Sequence, residues 1–279
     1  MHFPVSGVDC PIWLPPAAAF IVALVTAPAG ISGAFLLLPF QMSVLGFVTP
    51  AVTPTNLIYN TVATPGGVYR YIVERRMAWA LAWTIVLGTL PGVFVGAFIR
   101  IRYLPDPRRC KFFVGLVLLG LGLRLVRDVF HGPPDAPPAD QARGPFGTAS
   151  LVTVSLIVGL IGGIYGVGGG AIIAPYLMAI LGLSAYAVAG AALFGTFLTS
   201  IAGVISFELL GRTALASGAA VHPDWTLGLL FGIGGLCGSY CGARLQKHLP
   251  ERWIRLMLAV LLLSLALAYT TQFFVAKTT

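Results

Sequence analysis

Two asparagines lie on one predicted helix, in a segment that also carries several hydroxyl side chains. Asn56 and Asn60 are four residues apart, so a helix places both on one face, which Thr64 continues. In a membrane, a polar face of this kind points to protein or to a cavity rather than to lipid. It either binds a ligand or supplies hydrogen bonds between helices, and we favour ligand binding. The residues assigned to this candidate site are Gln41, Thr55, Asn56, Tyr59, Asn60 and Thr64.

The glycine-rich run at residues 166–170 is a second candidate site, between two short apolar segments. Glycine breaks a helix and lets the backbone approach another backbone or a ligand closely. Within a membrane, such a break is tolerated only where protein or a water-filled cavity satisfies the freed amides. Helix N-termini offer free N–H groups and a partial positive charge, which together favour an anion. Gly168, Gly169 and Gly170 are therefore candidates for anion binding, and close helix packing is the equally weighted alternative.

A weaker copy of the glycine run occurs in the first half of the chain. Setting Pro39 on Pro175 also places Gly30 on Gly166, and further glycine and proline landmarks follow in order. We infer an internal duplication. Its parts are a first repeat at 13–130, a proline-rich linker at 131–147 and a second repeat at 148–275.

The second repeat carries a smaller polar face than the first. In the same alignment Asn60 falls on Thr196 and Thr64 falls on Ser200. We add Thr196 and Ser200 to the candidate site and expect it to be asymmetric, because these side chains are shorter.

The composition is that of an integral membrane protein. Of 279 residues, 57% are hydrophobic and 9% are charged, and the mean hydropathy is +0.91. A soluble domain carries about 25% charged residues. The apolar runs are long enough for helices rather than barrel strands, so we expect an all-α fold with about 8–10 transmembrane or re-entrant segments. The net charge of +8 is weak evidence about a substrate, because cytoplasmic loops of membrane proteins accumulate Lys and Arg.

The relative orientation of the repeats is open. If the short runs beside each glycine break both cross the membrane or fold back as a pair, each repeat has an odd number of crossings and the repeats are inverted. If each pair makes one broken crossing, the repeats are parallel, which the basic loops at 100–111 and 247–255 favour. We lean to inversion, because about 33 helical residues at ~1.5 Å each overrun a ~30 Å hydrocarbon core.

Three local patterns give further predictions. Residues 1–12 are expected to be a short polar lead without the basic region of a cleavable signal peptide. Pro65, with the two glycines that follow it, is expected to interrupt the third segment. Glycines at four-residue spacing in 88–96 and 234–242 suit helix packing within one subunit or in a homo-oligomer.

Ionisable residues are rare inside the apolar segments. Glu208 is the best candidate for proton coupling, and a surface ion pair with Arg212 is its alternative. Arg70 either snorkels to the membrane surface or supplies a counter-charge for the substrate. The sequence has no metal-binding, nucleotide-binding or catalytic motif, so we expect no cofactor, no nucleic-acid partner and no enzymatic activity.

The two candidate sites also carry a family resemblance. The run 166–170 before Pro175, with its earlier copy, resembles the TauE/SafE (TSUP) family of membrane transporters. The stretch 54–71 is similar to one subgroup of that family, and the resemblance covers residues 17–270. Ser32 and Ala34 depart from the pattern, since they break the triple glycine in the first copy.

The resemblance implies a secondary transporter of a small sulfur-containing or organic anion, such as sulfite, a sulfonate or sulfoacetate. Our leading hypothesis is alternating access between the repeats in the inner membrane of a bacterium, and a proton or sodium is the candidate coupling ion. Asn and Thr suit such a substrate, because neutral donors bind an anion without trapping it. A passive anion channel is the alternative, and a membrane-embedded enzyme is less favoured.

Overall fold

The computed structural model describes residues 1–47, 49–103, 108–131, 148–212 and 222–275. These residues form ten α-helices and a short antiparallel hairpin at the start of the chain, with strands β1 (His2–Phe3) and β2 (Val8–Asp9). The helices are α1 (Leu14–Thr26), α2 (Ala34–Ser43), α3 (Val52–Val73), α4 (Trp79–Arg102), α5 (Arg108–His131), α6 (Thr148–Tyr165), α7 (Gly170–Ala179), α8 (Ala185–Gly211), α9 (Trp225–Gln246) and α10 (Glu251–Val275), and a 3-10 turn at Ala27–Ala29 follows α1.

Three of the described helices are long and apolar enough to cross a membrane. They are α4, α8 and α9, with 24, 27 and 22 residues, and a helix of about 20 apolar residues spans the hydrocarbon core. The predicted all-helical membrane fold is confirmed at this level. The number of crossings stays a prediction.

The chain breaks its helices at both glycine runs. The turn after α1 has Gly30 at φ +74°, and the turn after α6 has Gly166 at φ +68° and Gly168 at φ +71°. Side chains disfavour this left-handed region, so glycine is required for the path. The Ser32 hydroxyl donates to the Val167 carbonyl at 3.3 Å, so the two breaks meet inside the molecule.

Helices from the two halves of the chain interlock. Packing neighbours run in the order α1, α9, α3, α8, α4 and α6, and α5 packs on α10. The first helix of each half therefore packs against a helix of the other half, and α3 and α8 pack against each other between these pairs.

The two glycine stripes make the closest of these contacts. Gly88, Gly92 and Gly96 of α4 lie against backbone carbonyls of α6, and Gly234, Gly238 and Gly242 of α9 lie against backbone carbonyls of α1. A Cβ at any of the six would overlap an atom of the facing helix. Both stripes are thus used within one chain, so neither is available to a second copy.

The predicted interruption at Pro65 is wrong, because α3 continues to Val73. The Ser239 hydroxyl of α9 accepts from the Gly67 N–H at 3.1 Å and donates to the Ala63 carbonyl at 2.5 Å. Ala63 and Gly67 are the pair that an α-helix would join directly, and a hydroxyl inserted between them satisfies both groups. Glycines at 66 and 67 allow α9 to come close enough for this.

Residues 1–12 are also more than a polar lead. They form the β1–β2 hairpin, and Phe3, Val8 and Cys10 are buried in the main apolar core. The Ser6 hydroxyl donates to a buried Asp224 carboxylate at 2.8 Å, which anchors the hairpin at the start of α9. The residue types alone did not indicate this, because the partner is more than 200 positions away.

Candidate functional site

A cluster of buried polar groups lies where α3 packs against α8, beside the second glycine break. Asn60 of α3 and Ser200 of α8 are both 0% exposed. A Cβ built on Gly168 would lie 2.6 Å from Thr196 Cγ2, 3.1 Å from Ser200 Oγ and 3.3 Å from Asn60 Nδ2, so this face of the glycine lies against all three side chains. We call Asn60, Gly168 and Ser200 the crossing site.

The polar atoms of the crossing site have no hydrogen-bond partner among the described residues. This holds for Asn60 Nδ2, Asn60 Oδ1 and Ser200 Oγ. A buried polar atom left without a partner costs roughly 1–3 kcal/mol, and native structures keep few of them, usually for a functional reason. Among the predicted site residues, Gln41 Oε1 and the Tyr59 hydroxyl are also buried without a partner in the described part of the chain. Asn60 differs from them because both polar atoms of its side-chain amide lack a partner, and Ser200 lies beside it.

Hydroxyls of α8 hold the N-terminus of α7. The Gly170 N–H donates to Thr196 Oγ1 at 2.9 Å, and the Gly169 N–H donates to Thr199 Oγ1 at 3.2 Å. Two of the three predicted glycine donors therefore have acceptors within the protein. Thr199 was missed in the sequence, although its position three residues after Thr196 puts it on the same helix face.

Asn56 and Gln41 brace the first glycine break. Asn56 Nδ2 donates to the Ala34 carbonyl in the first turn of α2 at 3.0 Å, and Gln41 Nε2 donates to Asn56 Oδ1 at 3.3 Å. Tyr59, one turn along α3, directs its hydroxyl against Gly33. These predicted site residues lie close together, and the Asn56 amide is satisfied by the protein on both of its atoms.

The two threonines of the predicted face use their hydroxyls inside the helix. Thr64 donates to the Asn60 carbonyl at 2.7 Å, and Thr55 donates to the Ala51 carbonyl at 2.8 Å. Thr55 also accepts from the Asp224 N–H at 2.9 Å, which joins the starts of α3 and α9. Asp224 was not considered in the sequence because it lies in a loop of ordinary polarity.

Comparison with known proteins assigns the family. A model of the family described as sulfite exporter TauE/SafE matches residues 16–269. The chain belongs to the TauE/SafE family.

Two curated relatives agree with this assignment. A probable membrane transporter protein, y4hK, of Sinorhizobium fredii (strain NBRC 101917 / NGR234) is 23% identical over 260 residues, covering 88% of this chain and 93% of the relative. A probable membrane transporter protein of Xylella fastidiosa (strain 9a5c) is 25% identical over 246 residues, covering 80% and 82%. No solved structure matches the chain. The protein is therefore a membrane transporter, as its sequence predicted, and its family and relatives are transporters rather than enzymes.

The coupling candidate of this TauE/SafE transporter on α8 lies at a helix end. Glu208 is 24% exposed, and its Oε2 lies 3.9 Å from both Arg212 Nη2 and His222 Nδ1. It is eight residues beyond Ser200, which is about 12 Å along the helix. The surface pair with Arg212 is thus present, although at the outer limit of an ion pair. A role in proton coupling stays a prediction.

The candidate cation on α3, Arg70, also lies near a helix end. It pairs with Glu74 at 2.5 Å, one turn further along. Burial alone would raise the pKa of the Glu74 carboxyl, but the charges of Arg76, Arg70 and Lys247 and a hydrogen bond from Arg76 outweigh burial and lower that pKa. Arg70 lies ten residues beyond Asn60, about 15 Å along the helix, so it does not join the crossing site.

Proposed function

We propose that this TauE/SafE transporter is a secondary transporter that binds a small anion at the crossing site. The anion is sulfite or an organosulfonate such as sulfoacetate, and the membrane is the inner membrane of a bacterium. The observation that carries the proposal is the Asn60 amide, which is fully buried with both polar atoms unpartnered among the described residues. An anion that leaves water needs donors of this kind to replace its hydration.

The electrostatics of the crossing site favour an anion that must also be released. The N-terminus of α7 lies beside the site, and a helix N-terminus carries roughly half a positive charge. The side chains of Asn60 and Ser200 are neutral donors. Neutral donors with a helix dipole attract an anion, yet they avoid the strong binding that a buried arginine would give.

Paired contacts support the inferred duplication. Gly30 lies against Ala189, and Gly166 lies against Thr53. The alignment that sets Gly30 on Gly166 also sets Thr53 on Ala189, so the second contact repeats the first with the halves exchanged. The same exchange relates Gly67 against Leu193 to Gly203 against Leu57, and it relates the α4–α6 contact to the α9–α1 contact.

The packing suggests which parts would move during alternating access. The helices α1, α9 and α3 form one group, and α6, α4 and α8 form the other, with the crossing site where α3 meets α8. Each group contains helices from both sequence repeats. We therefore propose that these mixed groups, rather than the two sequence repeats, rock against each other about the crossing site.

The experiment measures sulfite transport by the purified protein in proteoliposomes. We expect saturable uptake and counterflow, in which unlabelled sulfite inside the vesicles accelerates the entrance of labelled sulfite. Asn60→Ala and Ser200→Ala should lower uptake by about tenfold or more, since a hydrogen bond to a charged ligand contributes ~1.5–3 kcal/mol. Sulfoacetate and sulfate, tested as competitors, define the substrate class.

The matched control is Ser206→Ala, on the same helix as Ser200. Ser206 is also buried, but its hydroxyl donates to the Ala202 carbonyl of its own helix at 2.7 Å. It should transport normally. Normal uptake by both Asn60→Ala and Ser200→Ala would rule out the crossing site. Uptake without saturation or counterflow would instead indicate the passive anion channel.

A further inference from the structure

Three cationic side chains surround one carboxylate where α3 and α9 end. Arg70 Nη2 and Lys247 Nζ lie 2.5 Å and 3.7 Å from one oxygen of Glu74, and Arg76 pairs with its other oxygen. The side chains of Arg70, Glu74 and Arg76 are between 14% and 20% exposed. One negative charge thus faces three positive charges in a partly buried position. We call these four residues the Glu74 cluster.

Both arginines of the Glu74 cluster have a hydrogen-bond donor that is not used. The Nε atoms of Arg70 and Arg76 are buried and have no acceptor among the described residues. The guanidinium of Arg76 lies 4.9 Å from the ring centre of Tyr71, and that of Arg70 lies 5.6 Å from the ring centre of Tyr240. These rings hold the two guanidinium groups in place, so the unused donors are pre-oriented.

The Glu74 cluster is connected to the first glycine break. Arg76 Nη1 donates to Gln246 Oε1 at 2.5 Å. Gln246 is fully buried, and its Nε2 donates to the Pro28 carbonyl at 2.8 Å, in the turn that leads to Gly30. A single side chain, that of Gln246, therefore connects the pairing of Arg76 to the first glycine break.

We propose that the Glu74 cluster is a binding site for an oxyanion, which displaces the Glu74 carboxylate from its three cations. The ligand is a sulfite, sulfonate or phosphate group, carried by the transported solute or by a lipid headgroup. The solute as a source rests on the anion transport proposed above. The surplus of cations, the unused arginine donors and the position at the end of α3 carry this inference. Arginine presents paired donors that match such groups.

The test measures sulfate binding to the protein in neutral detergent, from the shift of the thermal unfolding midpoint at constant ionic strength set with chloride. All proteins carry Asn60→Ala, which removes the proposed crossing site. We expect Arg70→Gln and Arg76→Gln each to weaken sulfate binding by about tenfold, or ~1.4 kcal/mol. The control is Arg102→Gln, an exposed arginine whose guanidinium lies beside Tyr103, and it should leave binding unchanged.

Glu74→Gln should change sulfate binding in the opposite direction from the arginine variants. The amide keeps the shape of the side chain but no longer competes for the cations, so sulfate binding should strengthen by about tenfold. A variant that only loosened the fold would weaken binding, so a gain has no structural explanation. Equal sulfate binding by the Asn60→Ala parent, both arginine variants and Glu74→Gln would overturn the proposal.

Two further measurements are needed. The first distinguishes a lipid headgroup from the transported solute as the ligand, and the second distinguishes failure of the crossing site from failure of the Glu74 cluster. Phosphatidylglycerol added to the same samples displaces sulfate if a lipid phosphate occupies the Glu74 cluster, and it leaves sulfate binding unchanged if the transported solute does. Normal sulfite uptake by both Asn60→Ala and Ser200→Ala proteoliposomes would overturn the crossing site alone. Sulfate binding that is independent of Arg70 and Arg76 would overturn the Glu74 cluster alone.

Discussion

The two glycine breaks follow similar backbone paths but are held by different side chains. Each turns at a left-handed glycine and leads into a helix of ten residues, α2 or α7. The first break is braced by the long amides of Asn56 and Gln41, which bond to each other and to α2. The second is braced by short threonine hydroxyls of α8, which cap the first amides of α7.

We propose that this difference decides where a ligand binds. At the first break the Asn56 amide is satisfied by the protein, so that side chain is structural. At the second break both polar atoms of the Asn60 amide and the Ser200 hydroxyl have no partner in the described part of the chain. At the first break the unpartnered atoms are single ones, Gln41 Oε1 and the Tyr59 hydroxyl. On the proposed function, the first break is a structural brace and the second break lines the binding site.

The largest expected effect is the loss of the backbone path at the second break. Gly166→Ala places a methyl group in the left-handed region and against the Thr53 backbone, and we expect little folded protein. Gly46→Ala is the control, since Gly46 has φ +69° but no atom within 4 Å of an added Cβ. It should cost only the ~1–2 kcal/mol of backbone strain. Equal yields and melting temperatures in detergent would show that the close approach is unimportant.

The next effect separates the two asparagines of α3. Asn56→Ala removes the hydrogen bond to the Ala34 carbonyl and leaves the Gln41 amide without its acceptor, so we expect a loss of roughly 1–3 kcal/mol in stability. Asn60→Ala removes atoms that have no described partner, so stability should be kept or raised while transport falls. Thermal and denaturant unfolding of both variants, beside their sulfite uptake, tests the contrast. The reverse order of stabilities would contradict the assignment of brace and site.

The sequence was sufficient for features that depend on local chemistry. Glycines at 166 and 168 mark the second break because few other residues adopt a left-handed backbone. Asn56 and Asn60 mark a polar helix face because their spacing puts them on one side. The sequence does not distinguish the structural role of Asn56 from the proposed binding role of Asn60, because the two residues have the same type and lie on the same helix face. The distinction depends on Ala34 and Gln41, which the fold places beside Asn56.

The errors have a common physical origin in contacts between distant parts of the chain. Pro65 predicted an interruption of α3, but Ser239 of α9 supplies the hydrogen bonds that the helix needs there. Residues 1–12 are predicted to be a polar lead, yet Asp224 anchors them as a hairpin. In each case a residue more than 170 positions away decides the local structure, and periodicity along one helix carries no information about it.

A smaller effect tests the hydroxyl caps of the second break. Thr199→Val keeps the shape of the side chain but leaves the Gly169 N–H without its acceptor, so we expect a loss of about 1 kcal/mol. Thr61→Val is the matched control on α3, because the Thr61 hydroxyl bonds only to the Leu57 carbonyl of its own helix at 2.9 Å. Urea unfolding in detergent compares the two. Equal losses would mean that capping of α7 adds nothing to stability.

The smallest effect compares the acidic residues near the ends of α3 and α8. The pKa of Glu74 is lowered below its ordinary value of 4.5, because its cations outweigh burial. Its charged form therefore stabilises the fold above about pH 4.5, and this contribution is lost as the pH falls through the lowered pKa. Glu74→Gln should flatten the fall of the melting temperature between neutral and acidic pH.

Glu208→Gln is the control and should leave that fall unchanged. Glu208 has only 3.9 Å contacts with exposed cations, and such contacts are weak in water. If Glu208→Gln flattened the curve as much as Glu74→Gln, the two helix ends would be electrostatically equivalent, and the asymmetry between the halves would be confined to the glycine breaks.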